Sequence, residues 1–175
     1  MPELRKDPII GRWVIVSTER GRKPDHFNGT AEGPDEGVCP FCEGKEAHTP
    51  AEIYAIRKSQ LANKPGWQVR VIPSVSPFLR IEGDLDRRGH GLYDIMNGIG
   101  AHEMVVETPL HIDNIADLPA EQIADVFGVY IERSIDLEKD SRFKYVLAFK
   151  NYGWSAGGGK GKTFPFPVDC HSHYP

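Results

Sequence analysis

The chain has 175 residues, 39% hydrophobic and 26% charged, with a net charge of −4. That length suits one domain with a respectable core, and the composition is that of an ordinary soluble globular protein. The acidic balance argues against a general nucleic-acid binder, and no run of about 18 apolar residues offers a membrane span.

The opening, MPELRKDPII, lacks the apolar core of a signal peptide. Trp13–Val16 predicts a short strand, followed by a basic turn with Arg20, Arg22 and Lys23 before Pro24. Such a turn is either a solvated loop or a clamp for phosphate, because guanidinium forks match phosphate oxygens. Residues 28–38, rich in Gly, Pro, Asp and Glu, predict a loop that delivers Cys39-Pro40-Phe41-Cys42. Two thiolates two residues apart suit one corner of a tetrahedral zinc site whose other ligands come from elsewhere. A thioredoxin-like redox pair is the competing reading, but it calls for a motif that opens a helix after a strand. Either chemistry places the thiols in a reducing cytoplasm.

Glu52–Arg57 and Trp67–Ile72 predict strands by their β-branched and aromatic content. Pro73 to Pro77 ends the second, and residues 80–99 read as an irregular excursion. Met104–Glu107 predicts another strand, stopped by Pro109, with His111 just beyond it as a candidate third metal ligand. One long helix is expected from Pro119 to about Lys139. Its residues Ile123, Val126, Phe127, Tyr130 and Ile131 recur at three and four, which predicts one apolar stripe against a sheet. Phe143–Lys150 predicts a strand feeding a glycine-rich turn. There Asn151, Gly153, Gly157, Gly158 and Gly159 let backbone N–H groups approach a phosphate. The expected class is α+β, mostly antiparallel sheet with helix on one face.

Five ordered blocks, RKDPIIGRWVIVSTERGRKP, CPFC, PGWQVRVIP, GAHEMVVETPLH and LAFKNYGWSAG, resemble the N-terminal half of galactose-1-phosphate uridylyltransferase, of the histidine-triad superfamily. The resemblance covers residues 1 to about 159 and implies a half-barrel of antiparallel strands with helix packed on it. It implies a histidine that attacks the α-phosphorus of UDP-glucose, releasing glucose 1-phosphate and leaving a uridylyl-enzyme. Galactose 1-phosphate then takes the uridylyl group, a ping-pong exchange. It also implies zinc as cofactor, with Cys39, Cys42 and His111 as three of its ligands. Arg20, Lys23, Ser74, Asn151, Gly157 and Gly158 fall at its nucleotide-binding positions, although Ser74-Val75 departs from the family's usual Asn-led pair. UDP-glucose and a hexose 1-phosphate are the implied partners, with no nucleic acid or membrane.

The family continues with His-x-His-x-Gln, its fourth zinc ligand and nucleophile. Here Lys162 to Phe166 stands in that place, and His171-Ser172-His173 comes about eight residues later, with no Gln. No catalytic residue is therefore assigned. Reverse translation of Thr163–Pro175, read one base over, can be written as HSHSQLIATPII, which restores the family motif. The expectation is a frame slip in the Gly-Lys run 157–162, in the genome or in the reading of it. Residues 1–159 would then be the uridylyltransferase-like domain and 160–175 an aberrant tail without order, with the family's second half absent. Losing that half predicts exposed sheet and helix surface, and with it weak self-association, a homodimer included. A different histidine-triad enzyme, such as a dinucleoside-polyphosphate phosphorylase, is the alternative, against which the CPFC and uridylyltransferase blocks count.

Overall fold

The structure is a computed structural model, and it describes residues 2–16, 39–58, 61–75, 77–112 and 114–150, together with the backbone of 168–172. Its strands are β1 (Glu3–Lys6), β2 (Trp13–Val16), β3 (Tyr54–Arg57), β4 (Trp67–Pro73), β5 (Arg88–His90), β6 (Tyr93–Asn97), β7 (His102–Val106), β8 (Val146–Phe149) and β9 (Val168–Ser172). The long helix α1 spans Ala120–Leu137. The strands form two antiparallel sheets, one ordered β2-β1-β6-β5 and the other β3-β4-β7-β9-β8. This is the antiparallel α+β architecture that the sequence implied.

The smaller sheet is built from two hairpins. In the first, Asp7 closes the turn by accepting the N–H groups of Ile9 and Ile10 at 2.8 and 3.2 Å. Gly11 completes that turn with φ of +71°, a region that suits a residue without a Cβ. The second hairpin, β5–β6, lies inside residues 80–99, which the sequence reading took as irregular. Its alternation was hidden by glycines and charges, because β5 is exposed throughout and has no apolar face to betray it.

The larger sheet carries the core. Val69, Val71 and Val105 pack against Val126 and Val129 of α1, and a second cluster joins Ile99, Ala101, Leu137 and Phe143. The face of α1 differs from the expected one. Val126, Val129, Arg133 and Leu137 point into the protein, whereas Phe127, Ile131 and Ile135 are more than half exposed. The helix therefore has two apolar faces, and pattern alone merged them into one stripe. Arg133 is buried because Glu103 of β7 meets it with two hydrogen bonds, at 2.8 and 2.7 Å.

Val168–Ser172, expected to find no partner, pairs on both sides. Its backbone runs between β7 and β8, with His171 opposite His102 and Leu147 in register. The rest of the 160–175 segment lies outside the described residues.

Candidate metal centre and nucleotide cleft

The C-x-x-C turn is held by local backbone bonds. The Cys42 N–H donates to the Cys39 carbonyl at 3.4 Å, and the Lys45 N–H donates to the Cys42 carbonyl at 3.2 Å. Gly44, at φ of +84°, makes the reversal. The turn is then fastened to two parts of the larger sheet. The Glu43 N–H donates to the Pro109 carbonyl at 3.0 Å, which draws in the loop after β7. The buried Glu46 carboxylate accepts the Gly44 N–H at 3.1 Å and the Trp67 indole N–H at 2.7 Å, which ties the turn to the start of β4. Burial alone would push that carboxyl up, but the Trp67 and backbone donors outweigh it and hold Glu46 below the usual carboxylate range.

His111 arrives on the fastened loop. The Cys39 and Cys42 sulfurs and a His111 nitrogen all lie within 4.8 Å of one another, and Cys42 Sγ is 3.4 Å from His111 Nδ1. Zinc bound tetrahedrally at about 2.3 Å to sulfur and 2.0 Å to nitrogen sets its ligands roughly 3.5–3.8 Å apart. The three donors thus suit, in kind, three of the four corners of a zinc site, and the Cys42–His111 separation is close to the spacing zinc sets. They also rule against the redox reading of the motif, since the turn opens no α-helix and its thiols face an imidazole rather than a helix N-terminus. Burial pushes the Cys42 thiol up to about 11, and Cys39 beside it pushes the same way. A thiol this reluctant to ionise is inert by itself and suits a cation that removes its proton.

At the other end of β7 a cleft of about 580 Å³ opens, lined among others by Ser74, Arg80, His102 and Glu103. The Ser74 N–H donates to the His102 carbonyl at 2.9 Å. His102 stacks on Phe78, with ring centroids 5.1 Å apart, and its Nδ1 accepts the Phe78 N–H at 3.1 Å. Arg80 is the cation among the lining residues. Of the six expected nucleotide residues, only Ser74 is described, and it lines this cleft. Arg20, Lys23, Asn151, Gly157 and Gly158 lie outside the described residues.

Sequence reasoning overlooked a buried ion pair just past β7. The buried Glu107 carboxylate, just past β7, pairs with Lys150 Nζ at 2.5 Å and lies 3.3 Å from the Tyr130 hydroxyl. Lys150 stands immediately before Asn151, so this pair anchors the root of the glycine-rich segment. The one sequence signal was a lone acid inside an otherwise apolar strand ending.

His171 does not stand where a fourth ligand of this corner would, and His173 lies outside the described residues. His171 stands in register with His102, at the start of β7, whereas the metal corner lies beyond the far end of that strand.

No protein-family model matches the chain. Over 161 residues it is 32% identical to the ADP-glucose phosphorylase of Arabidopsis thaliana, an alignment covering 89% of this chain and 45% of the relative. The crystal structure of an Arabidopsis thaliana ADP-glucose phosphorylase with bound ADP-glucose matches 100% of this chain and 50% of its own, with a TM-score of 0.61 at 27% identity. A galactose-1-phosphate uridylyltransferase of Thermotoga maritima is 26% identical over 178 residues, 95% of this chain and 47% of the relative. The chain is a homologue of ADP-glucose phosphorylase and of galactose-1-phosphate uridylyltransferase. A solved uridylyltransferase gives a TM-score of 0.66 at 25% identity, over 97% of this chain and 45% of its own. The chain spans about half the length of the curated relatives it matches. These relatives are nucleotidyl-transferring enzymes, the phosphorylase among them.

Proposed function

We propose that this chain is the metal-holding, nucleotide-sugar-binding part of a uridylyltransferase-family enzyme, and that in the sequence as written it transfers no nucleotidyl group. By descent the reaction is uridylyl exchange between UDP-glucose and galactose 1-phosphate. The observation that carries this reading is the convergence of Cys39, Cys42 and His111 on one point. Bound there, zinc would act as a structural cross-link between the C-x-x-C turn and the loop after β7. Ser74 would meet the nucleotide in the cleft beside Arg80 and His102. Arg20, Lys23 and the backbone N–H groups of Asn151, Gly157 and Gly158 would neutralise and orient its phosphates. The two unpaired thiols suit a reducing cytoplasm.

Loss of transfer follows from what stands where the family nucleophile should be. A phenyl ring such as Phe164 has no lone pair to attack phosphorus, and His171 stands in register with the start of β7. A second reading takes ADP-glucose as the nucleotide sugar and inorganic phosphate as acceptor. It is favoured by the higher identity to the phosphorylase, 32% against 26%. Both readings share a nucleoside diphosphate sugar and a phosphate-bearing acceptor.

The test has three parts on the purified chain: zinc content by elemental analysis, calorimetric titration with UDP-glucose and with ADP-glucose, and intact mass after incubation with each. One zinc per chain, binding of one sugar nucleotide and an unchanged mass are expected. A mass gain of one nucleoside monophosphate would overturn the loss of transfer. Absence of both zinc and nucleotide binding would overturn the whole reading.

A further inference from the structure

The smaller sheet carries a groove of its own. It encloses about 530 Å³ against β1, β2, β5 and β6, and it shares no lining residue with the cleft beside Ser74 and His102. One cross-strand row forms its floor. Register sets Trp13 of β2 opposite Lys6 of β1, and Asp94 of β6 opposite Gly89 of β5. Residues directly opposite one another in antiparallel strands share a face. Lys6 joins the two pairs, with its Nζ 5.9 Å from the centre of the Trp13 ring and 3.8 Å from Asp94 Oδ2. Three inter-strand spacings of about 4.8 Å make the row about 14 Å long.

Two lining residues have no role in the fold that accounts for them. Gly89 lies in the middle of β5 without a left-handed φ, and a Cβ added there would meet nothing within 4 Å. Neither backbone conformation nor close packing calls for glycine, and a strand glycine of this kind marks a place where a ligand approaches. Arg87, immediately before β5, has no ion-pair partner among the described residues. Its neighbour Arg88 is instead held by Glu3 and Asp86, at 3.3 and 2.9 Å. In a chain of net charge −4, this groove collects three cations around one carboxylate.

The order of groups along the row selects the ligand. Trp13 offers an aromatic wall on which a planar base stacks. Asp94, 68% exposed and loosely paired with Lys6, offers carboxylate acceptors for a vicinal diol. Past it, Gly89 leaves room, and Arg87 supplies a fork that matches phosphate oxygens. Lys6 adds a second positive charge midway. A bare phosphate would set like charge against Asp94, and a bare base would leave Arg87 without an anion. A ribonucleoside monophosphate carries base, diol and anion in this order.

We propose that this groove is a nucleotide site separate from the cleft. It takes a ribonucleoside monophosphate with the base against Trp13, the ribose hydroxyls on Asp94 and the phosphate over Gly89 beside Arg87.

Fluorine NMR of the full chain labelled with fluorotryptophan tests this. The three tryptophans give three resonances, and Trp13→Phe identifies the one at the groove. Titration with AMP is expected to move the Trp13 resonance saturably and to leave that of Trp67, 2% exposed, in place. Adenosine alone and inorganic phosphate alone are each expected to bind at least tenfold more weakly. Arg87→Ala is expected to cost at least tenfold in AMP affinity. Gly89→Val, which fills the open space with a residue favoured in strands, should abolish the response without lowering the melting temperature. Ser74→Tyr, which obstructs the cleft beside His102, should leave the response unchanged, so the outcome does not depend on what the cleft binds. A Trp13 resonance that AMP does not move would overturn the proposal. So would an undiminished response in both Arg87→Ala and Gly89→Val, or inorganic phosphate binding as tightly as AMP, which would make the groove a plain anion site. A response lost only in Ser74→Tyr would overturn it by placing the nucleotide in the cleft.

Discussion

Replacing Arg133 by methionine tests the buried ion pair that fixes α1 on the sheet. Glu103 and Arg133 are 4 and 7% exposed, so neither charge has water to fall back on. The guanidinium meets both Glu103 oxygens, at 2.8 and 2.7 Å, and reaches Asp136 at 2.7 Å. Glu103 holds the Arg133 pKa above its ordinary value, and Asp136 adds to this. Methionine fills much of the same space but leaves the Glu103 carboxylate buried without a cation. Breaking a buried pair from one side costs about 3–5 kcal/mol, against a total stability of roughly 5–15 kcal/mol. In urea, with a slope of about 2 kcal/mol/M, the unfolding midpoint should fall by about 1.5–2.5 M. The double variant Arg133→Met with Glu103→Leu should recover most of the loss, because an apolar pair of similar volume is often neutral or better. Unfolding followed by tryptophan fluorescence gives both numbers. If Arg133→Met alone lowers stability by less than about 1 kcal/mol, the pair is not what secures the helix, and the argument from its burial fails.

Three other outcomes are expected. Cys42→Ser or His111→Ala should abolish stoichiometric zinc after dialysis against a weak chelator, and zinc retained at wild-type content in either would remove the corner from consideration. Glu46 is held below the 4.5 of a free glutamate, so its contribution is present above that pH and is lost as pH falls through the lowered folded value. Chemical denaturation across the acid range below neutrality should therefore show a flatter decline in Glu46→Gln than in the wild type; identical slopes would contradict this. Lys150→Met leaves the buried Glu107 carboxylate with the neutral Tyr130 hydroxyl in place of a cation, at a cost of about 1–3 kcal/mol. It should also weaken sugar-nucleotide binding, whereas Lys150→Arg should restore both, and a full-affinity Lys150→Met would separate the pair from the nucleotide.

The sequence made the metal corner and most of the larger sheet legible because their signals are local. Cys39 and Cys42 announce themselves by spacing, and β4 and β7 by runs of valine and isoleucine. His111 was found only by asking what could complete an unfinished ligand set. The β5–β6 hairpin stayed hidden because β5 is exposed throughout and β6 buries two successive residues, Ile95 and Met96, rather than alternating. The helix was placed within two residues at each end, yet its buried face was misjudged. Periodicity cannot distinguish a residue facing the sheet from one facing outward when both are apolar, nor foresee that Arg133 goes inward to meet Glu103. The Glu107–Lys150 pair joins residues 43 apart in sequence, and no local pattern carries such a contact.

The placement of β9 has a consequence for how the chain is made. The strand that comes after every other described strand in sequence is not added to an edge; it fills a gap between β7 and β8. During synthesis, N-terminal segments emerge first. Until the residues of β9 leave the ribosome, β7 and β8 have no common partner, and each offers a row of open backbone groups. Sheet closure is thus a late, long-range event, the kind that slows folding and lengthens exposure to wrong partners. Within this architecture, the residues of β9 decide whether the strand leading into the glycine-rich segment is docked at all.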